Sequence, residues 1–191
     1  MFQLSVLMIF SKLRISKDIL KDLYLTENGI ELDKLPKWLT KGAGDFTIEG
    51  RKVFRAIGVS NSLSENKNSF KESTENAGKN LRYIMTVYVK SFEKVYKKHV
   101  KSGEMPRAAF KKDIPVLLKR MRKSKFSGAQ VIDRWINPEN KKVYTLLETD
   151  LGQIKNMIKT SRGLSQPLGD VTDKFSDEAF ELYTEILKES R

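Results

Sequence analysis

Ala129-Gln130-Val131-Ile132-Asp133-Arg134-Trp135-Ile136 leads into Asn137-Pro138-Glu139-Asn140 and then into Lys142-Val143-Tyr144-Thr145-Leu146-Leu147-Glu148. Both flanks are rich in β-branched and aromatic residues, and turn formers separate them, so the stretch reads as an antiparallel hairpin. Upstream the period changes. Phe70, Ala77, Leu81, Ile84, Tyr88, Phe92 and Val95 step by three, four or seven, the spacing of one apolar stripe along a long helix. Helices and strands that do not alternate regularly give the α+β class: a long helix packed on a small antiparallel sheet, with additional N-terminal and C-terminal helices.

Working outward, Phe46 to Glu49 and Lys52 to Ser60 read as a second hairpin turning at Glu49-Gly50, or as one bent strand. Before them, Leu35 to Gly44 reads as an extended lead-in that ends at a glycine pair. Asn66 or Ser69 is placed to cap the long helix, and Gly103 to end it. Gly78, inside the helix, lacks a side chain where close packing would use that lack. Arg107 to Arg122 is one kinked helix around Pro115 or two short ones with Asp113 capping the second. Asp150 is placed to cap a helix carrying Leu151, Ile154, Met157 and Ile158. Gly163 to Asp170 reads as a loop, and a last amphipathic helix carries Phe175, Ala179, Leu182, Tyr183 and Ile186.

The 191 residues match one ordinary domain. Residues 1–33 read as an N-terminal helical extension or a targeting remnant, 34–160 as the α+β domain, and 161–191 as a loop and C-terminal helix packed on it. The apolar run Met1 to Phe10 is about half a membrane span. Leu4, Leu7, Phe10, Leu13, Leu20 and Leu23 recur near helical spacing, and no Lys or Arg precedes the run, which favours an amphipathic helix over a signal segment.

Several chemistries are missing. Without cysteine there is no thiolate catalysis, disulfide or Cys-ligated zinc. The single histidine, His99, lies among Lys97, Lys98 and Lys101, has no second histidine for a two-His metal site, and reads as a solvated surface residue. Gly42, Gly44 and Gly50 precede a strand, whereas a phosphate loop follows one and opens a helix. Asp133, Glu148 and Asp150 could supply a paired-acid hydrolase, but Asp133 and Glu148 fit the polar faces of half-buried strands better, since nothing else converges on them. The expectation is a non-enzymatic protein with no cofactor and no metal.

Charge is the positive signal. Thirty-six Lys and Arg against twenty-four Asp and Glu give +12, which points to anionic partners. From Lys90 to Lys125 there are thirteen basic residues against Glu93, Glu104 and Asp113, a local balance of +10. Lys90, Lys94, Lys97, Lys98 and Lys101 share one helix face, and Lys111, Lys112, Lys119, Arg120, Arg122, Lys123 and Lys125 extend it. These twelve form the candidate anion-binding set. The nearby aromatics, Tyr88, Phe92 and Phe110, read as core residues, so stacking of single-stranded bases has little support.

Three stretches together resemble the LPP-twenty family of bacterial envelope lipoproteins: Pro36 to Gly44 with Val53 to Ser60, the helix from Ser73 through Ser91, and Gly128 to Trp135 continuing to Val143-Tyr144-Thr145-Leu146. The resemblance covers about Leu35 to Ile158. It implies a long helix on a small antiparallel sheet, export to the envelope and no known catalytic centre, with Trp38, Gly58, Trp135 and Tyr144 as structural residues. Its usual lipidated cysteine has no counterpart among these 191 residues. On that reading the chain is a non-enzymatic envelope-associated binding or scaffold protein in the periplasm or at the outer membrane, with an anionic surface or an envelope or flagellar protein as partner. The alternative is a cytosolic nucleic-acid-binding protein. An exposed antiparallel edge could also pair two copies as a homodimer.

Overall fold

A computed structural model describes residues 35–61, 66–123 and 128–189. The chain is α+β: five helices and one four-stranded antiparallel sheet. In order the elements are α1 (Lys37–Lys41), β1 (Gly44–Ile48), β2 (Arg51–Val59), α2 (Lys67–Lys101), α3 (Arg107–Lys123), β3 (Gln130–Ile136), β4 (Val143–Asp150), α4 (Leu151–Lys159) and α5 (Gln166–Glu189). The sheet order is β1-β2-β4-β3. The expected N-terminal helix lies outside the described residues.

Contacts divide the chain into two compact units, with β1, β2, α2 and β4 each running from one into the other. Of the described residues, the first holds those of 35–44, 54–81 and 130–148, and the second those of 45–53, 82–129 and 149–189.

Both expected hairpins are present. The segment Phe46 to Ser60 is a hairpin and not a bent strand. It turns at Glu49 and Gly50, whose φ angles of 50° and 78° are the pair of left-handed residues that a two-residue loop matched to strand twist demands. The register of β3 on β4 runs Trp135 to Tyr144 and Arg134 to Thr145, with a bulge between Val131 and Asp133.

One face of β2 and β4 meets the first half of α2. A Cβ built on Gly58 would lie 2.0 Å from the Ala77 backbone nitrogen and 2.1 Å from the Ser73 carbonyl oxygen, so strand and helix backbones touch there. The residue of α2 that Gly58 meets most closely is Ala77, next to Gly78. On either side of Gly58, Asn80 Nδ2 donates to the Ile57 carbonyl at 2.7 Å and Asn76 Nδ2 to the Val59 carbonyl at 2.8 Å. β1 has five residues and β2 nine, so the end of β2 runs beyond β1, and these amides take up carbonyls there. Ser73 and Thr145 share a buried hydroxyl bond of 2.7 Å. Asn66 caps α2, its Oδ1 accepting from the Asn68 and Ser69 N–H groups.

The opposite face carries a cluster of Leu35, Trp38, Leu39, Ile57, Tyr144 and Leu146, with Val59 and Trp135 packed against it. Here the sequence reading needs correcting, because Lys37–Lys41 is a helical turn and not an extended lead-in. Pro36 starts the turn, its carbonyl accepting from the Leu39 N–H at 2.8 Å, and the turn buries Trp38 and Leu39 together. Trp38 Nε1–H donates to Asp133 Oδ2 at 2.7 Å, which satisfies an indole that would otherwise lose its water.

In the second unit α5 packs against α3 and α4. It begins at Gln166, so the expected loop over Gly163 to Asp170 ends early. Pro167 falls in the first turn, where a missing N–H forfeits no helical bond. Arg107–Lys123 is one helix with Pro115 inside, and Asp113 does not cap a second one. Its buried carboxylate accepts from the Ser165 N–H at 2.8 Å, the Ser165 hydroxyl at 2.5 Å and the Tyr96 hydroxyl at 3.0 Å, tying α3 and α2 to the start of α5. The Asp150 cap is present as a reciprocal box with Gln153.

Gly58→Ala should lower stability by about 3 kcal/mol or more, since the clash is with backbone and no side chain can move aside. Gly169→Ala, on α5 with open space around the new methyl, should raise it by up to about 1 kcal/mol. Urea denaturation of the two variants reads both signs.

Candidate functional site

The candidate surface is built on the C-terminal half of α2 and on α3, all in the second unit. Tyr88, Phe92, Val95 and Tyr96 are buried, and Tyr96 meets Phe110 of α3 edge-on with ring centroids 5.3 Å apart. That apolar stripe turns the opposite side of α2 to solvent. At 3.6 residues per turn Lys90, Lys94, Lys97, Lys98 and Lys101 fall within an arc of about 100°, and all five are exposed. Lys111, Lys112 and Lys119 on α3 are exposed and Arg120 is half-buried. Arg107, at the start of α3, is exposed as well and belongs to the same field. The side chains of Arg122 and Lys123, and all of Lys125, lie outside the described residues.

Ion pairing is sparse on this surface. Lys97 holds Glu93 at 2.6 Å, one turn away, and lies over the Phe110 ring at 5.7 Å. Lys90, Lys94, Lys98, Lys101, Arg107, Lys111, Lys112, Lys119 and Arg120 have no carboxylate partner among the described residues. Beside α5, three lysines do have carboxylate partners on that helix. Lys52 reaches Asp177 at 3.2 Å and Glu181 at 2.8 Å, Lys155 reaches Asp177 at 2.7 Å, and Lys159 reaches Asp173 at 2.6 Å. Burial works against the charge on Asp177, but the hydrogen bonds from Lys155 and Lys52 outweigh it and hold the carboxyl below its usual range. Lys52 is likewise raised by Glu181 and Asp177 against the pull of its own burial.

His99 corrects the sequence reading outright: it is buried, at 4% exposure, and not solvated. Its ring stacks on Phe175 of α5 with centroids 4.4 Å apart. Nδ1 lies 2.8 Å from Glu104 Oε2 and Nε2 lies 3.1 Å from Glu178 Oε2. The neighbouring lysines on α2 signalled a polar face, but His99 stands off the arc of Lys94, Lys98 and Lys101, on the side turned to α5. Sequence reasoning had no view of Glu178, which lies 79 residues away.

The three acids considered for hydrolysis each hold structure. Asp133 takes the Trp38 indole and, through Oδ1, the Arg134 N–H at 2.8 Å. Glu148, buried, takes Arg55 Nε and Nη2 at 2.8 Å each. In the other unit, Asp150 caps α4. Among the described residues no group of three or more His, Cys, Asp or Glu side chains is placed to hold a metal ion, and no helix is long and apolar enough to cross a membrane. The sheet has two edge strands, β1 and β3, and on β3 Val131 and Ile132 are 39% and 45% exposed. The bulge of β3 and the Asp133 bond to the Arg134 N–H are features that blunt an edge. Comparison with protein-family models, with curated proteins and with solved structures gives no match.

Glu104 carries the clearest pH signature. His99 first, then Ser102 and Lys174, hold its carboxyl down at about 2, against an ordinary 4.5. The folded value lies below the unfolded one, so these bonds stabilise the native state above the ordinary carboxylate value and are lost as pH falls towards 2. Glu104→Gln should therefore melt below the unaltered protein at neutral pH, and the gap should narrow as thermal scans are taken to low pH.

Proposed function

We propose that the chain is a non-enzymatic binding protein that engages an anionic partner through the basic surface of α2 and α3. The supporting observation is the clustering of unpaired charge within one unit: α5 supplies carboxylates to Lys52, Lys155 and Lys159, while nine basic residues from Lys90 to Arg120 on α2 and α3 have no carboxylate partner among the described residues. Like charges held so close repel, and a bound polyanion relieves that repulsion. The resemblance to LPP-twenty lipoproteins adds the cell envelope as the setting, with lipid head groups or an acidic envelope protein as the partner.

The alternative reading is nucleic-acid binding. Tyr88 and Phe92 are buried and Phe110 is packed on Tyr96, so a nucleic acid would be held by its phosphates and not by base stacking. On either reading, recognition is electrostatic and responds to salt.

Lys94→Glu, Lys98→Glu and Lys101→Glu combined should weaken binding to anionic vesicles or to duplex DNA by at least tenfold at low salt, with a shallower dependence on salt than the unaltered chain shows. Titration of both probes across a salt series identifies the class. Binding of neither, or binding untouched by the reversals, would overturn the proposal.

A further inference from the structure

His99 sits where three parts of the second unit meet: the end of α2, the turn from Ser102 to Pro106 that leads into α3, and α5. Both its ring nitrogens face carboxylate oxygens, one on the turn and one on α5. An ionised carboxylate only accepts hydrogen bonds, whereas a neutral imidazole offers one N–H and one lone pair. Both contacts are therefore satisfied together only when the ring carries two protons. In the neutral ring, one nitrogen turns its lone pair towards a carboxylate, and the contact becomes repulsive.

The surroundings decide which contact gives way. Glu104 has further donors, Ser102 Oγ at 3.0 Å and Lys174 Nζ at 3.3 Å. Glu178, 33% exposed, has no other partner among the described residues. The charged groups around the ring are Glu104 on the turn and Lys174 and Glu178 on α5, while Lys98 and Lys101, its neighbours on α2, lie on the exposed arc away from it. Phe175 covers one ring face, and the His99 carbonyl accepts from the Met105 N–H at 3.1 Å, so the turn is bonded directly to the histidine's own backbone.

We infer that His99 is a proton-operated clasp: doubly protonated it fastens the α2–α3 turn to α5, and loss of one proton releases Glu178. The turn joins the two basic helices, so the clasp governs the mobility of that junction whatever the surface binds.

Nitrogen NMR of the ring, with amide hydrogen exchange of the turn corrected for the intrinsic effect of pH, tests this between about pH 5 and about pH 8, the interval in which imidazoles change charge. Protection of the Met105 amide should fall about tenfold as the ring loses its proton, the loss of one charge-assisted hydrogen bond. In Glu178→Gln the amide can donate to the bare nitrogen, so the fall should flatten. A ring that keeps one charge state throughout, protection that ignores the ring's titration, or the same pH dependence in Glu178→Gln would each overturn the inference.

Discussion

The bare backbone of Gly58 lying against the backbone of α2 at Ser73 and Ala77 sets the architecture of the first unit. Side-chain packing between a helix and a sheet tolerates adjustment, but main-chain contact leaves almost none. With the helix this close, Asn76 and Asn80 reach the carbonyls of Val59 and Ile57, and Ser73 reaches Thr145 on the next strand. The polar groups along this seam form a ladder in which helix side chains continue a sheet's hydrogen bonding. One small residue thus places a polar stripe of α2 over β2 without leaving buried donors stranded.

In the second unit polar chemistry organises α5. Its start is held by the buried Asp113 carboxylate, its middle by Lys52 and Lys155 through Asp177, and its flank by His99 through Glu178. Such groups add less net stability than their short distances suggest, because each loses water on burial. They do specify which residues face which, and with the acids of α5 engaged in this way most of the lysines of α2 and α3 face solvent without a carboxylate partner among the described residues.

The fold class, both hairpins, the long helix and the caps at Asn66 and Asp150 were legible because local patterns encode them: period, turn residues and side chains that bond two or three positions away. The lead-in at Lys37 to Lys41 was misread because its helicity comes from burying Trp38 and Leu39 against strands far along the chain. The early start of α5 depends on Asp113, 52 residues before Ser165. The basic surface was visible as a count, but its unpaired state depends on where α5 sends its acids. His99 failed for the same reason, since three lysines beside it in sequence outweighed two carboxylates and a phenyl ring brought by tertiary structure.

The strand order carries a kinetic consequence. β1 with β2, and β3 with β4, are pairs of neighbours in the chain, and α2 follows β2 directly. The join between these local pieces is β2 with β4, where the Val143 N–H donates to Ser60 Oγ across 83 residues. Closing that loop forfeits chain entropy before any contact is made, so the sheet is completed last, after α2 has settled on Gly58. Until then the edges of β2 and β4 stand open, which makes the half-assembled chain the species most exposed to strand-mediated aggregation.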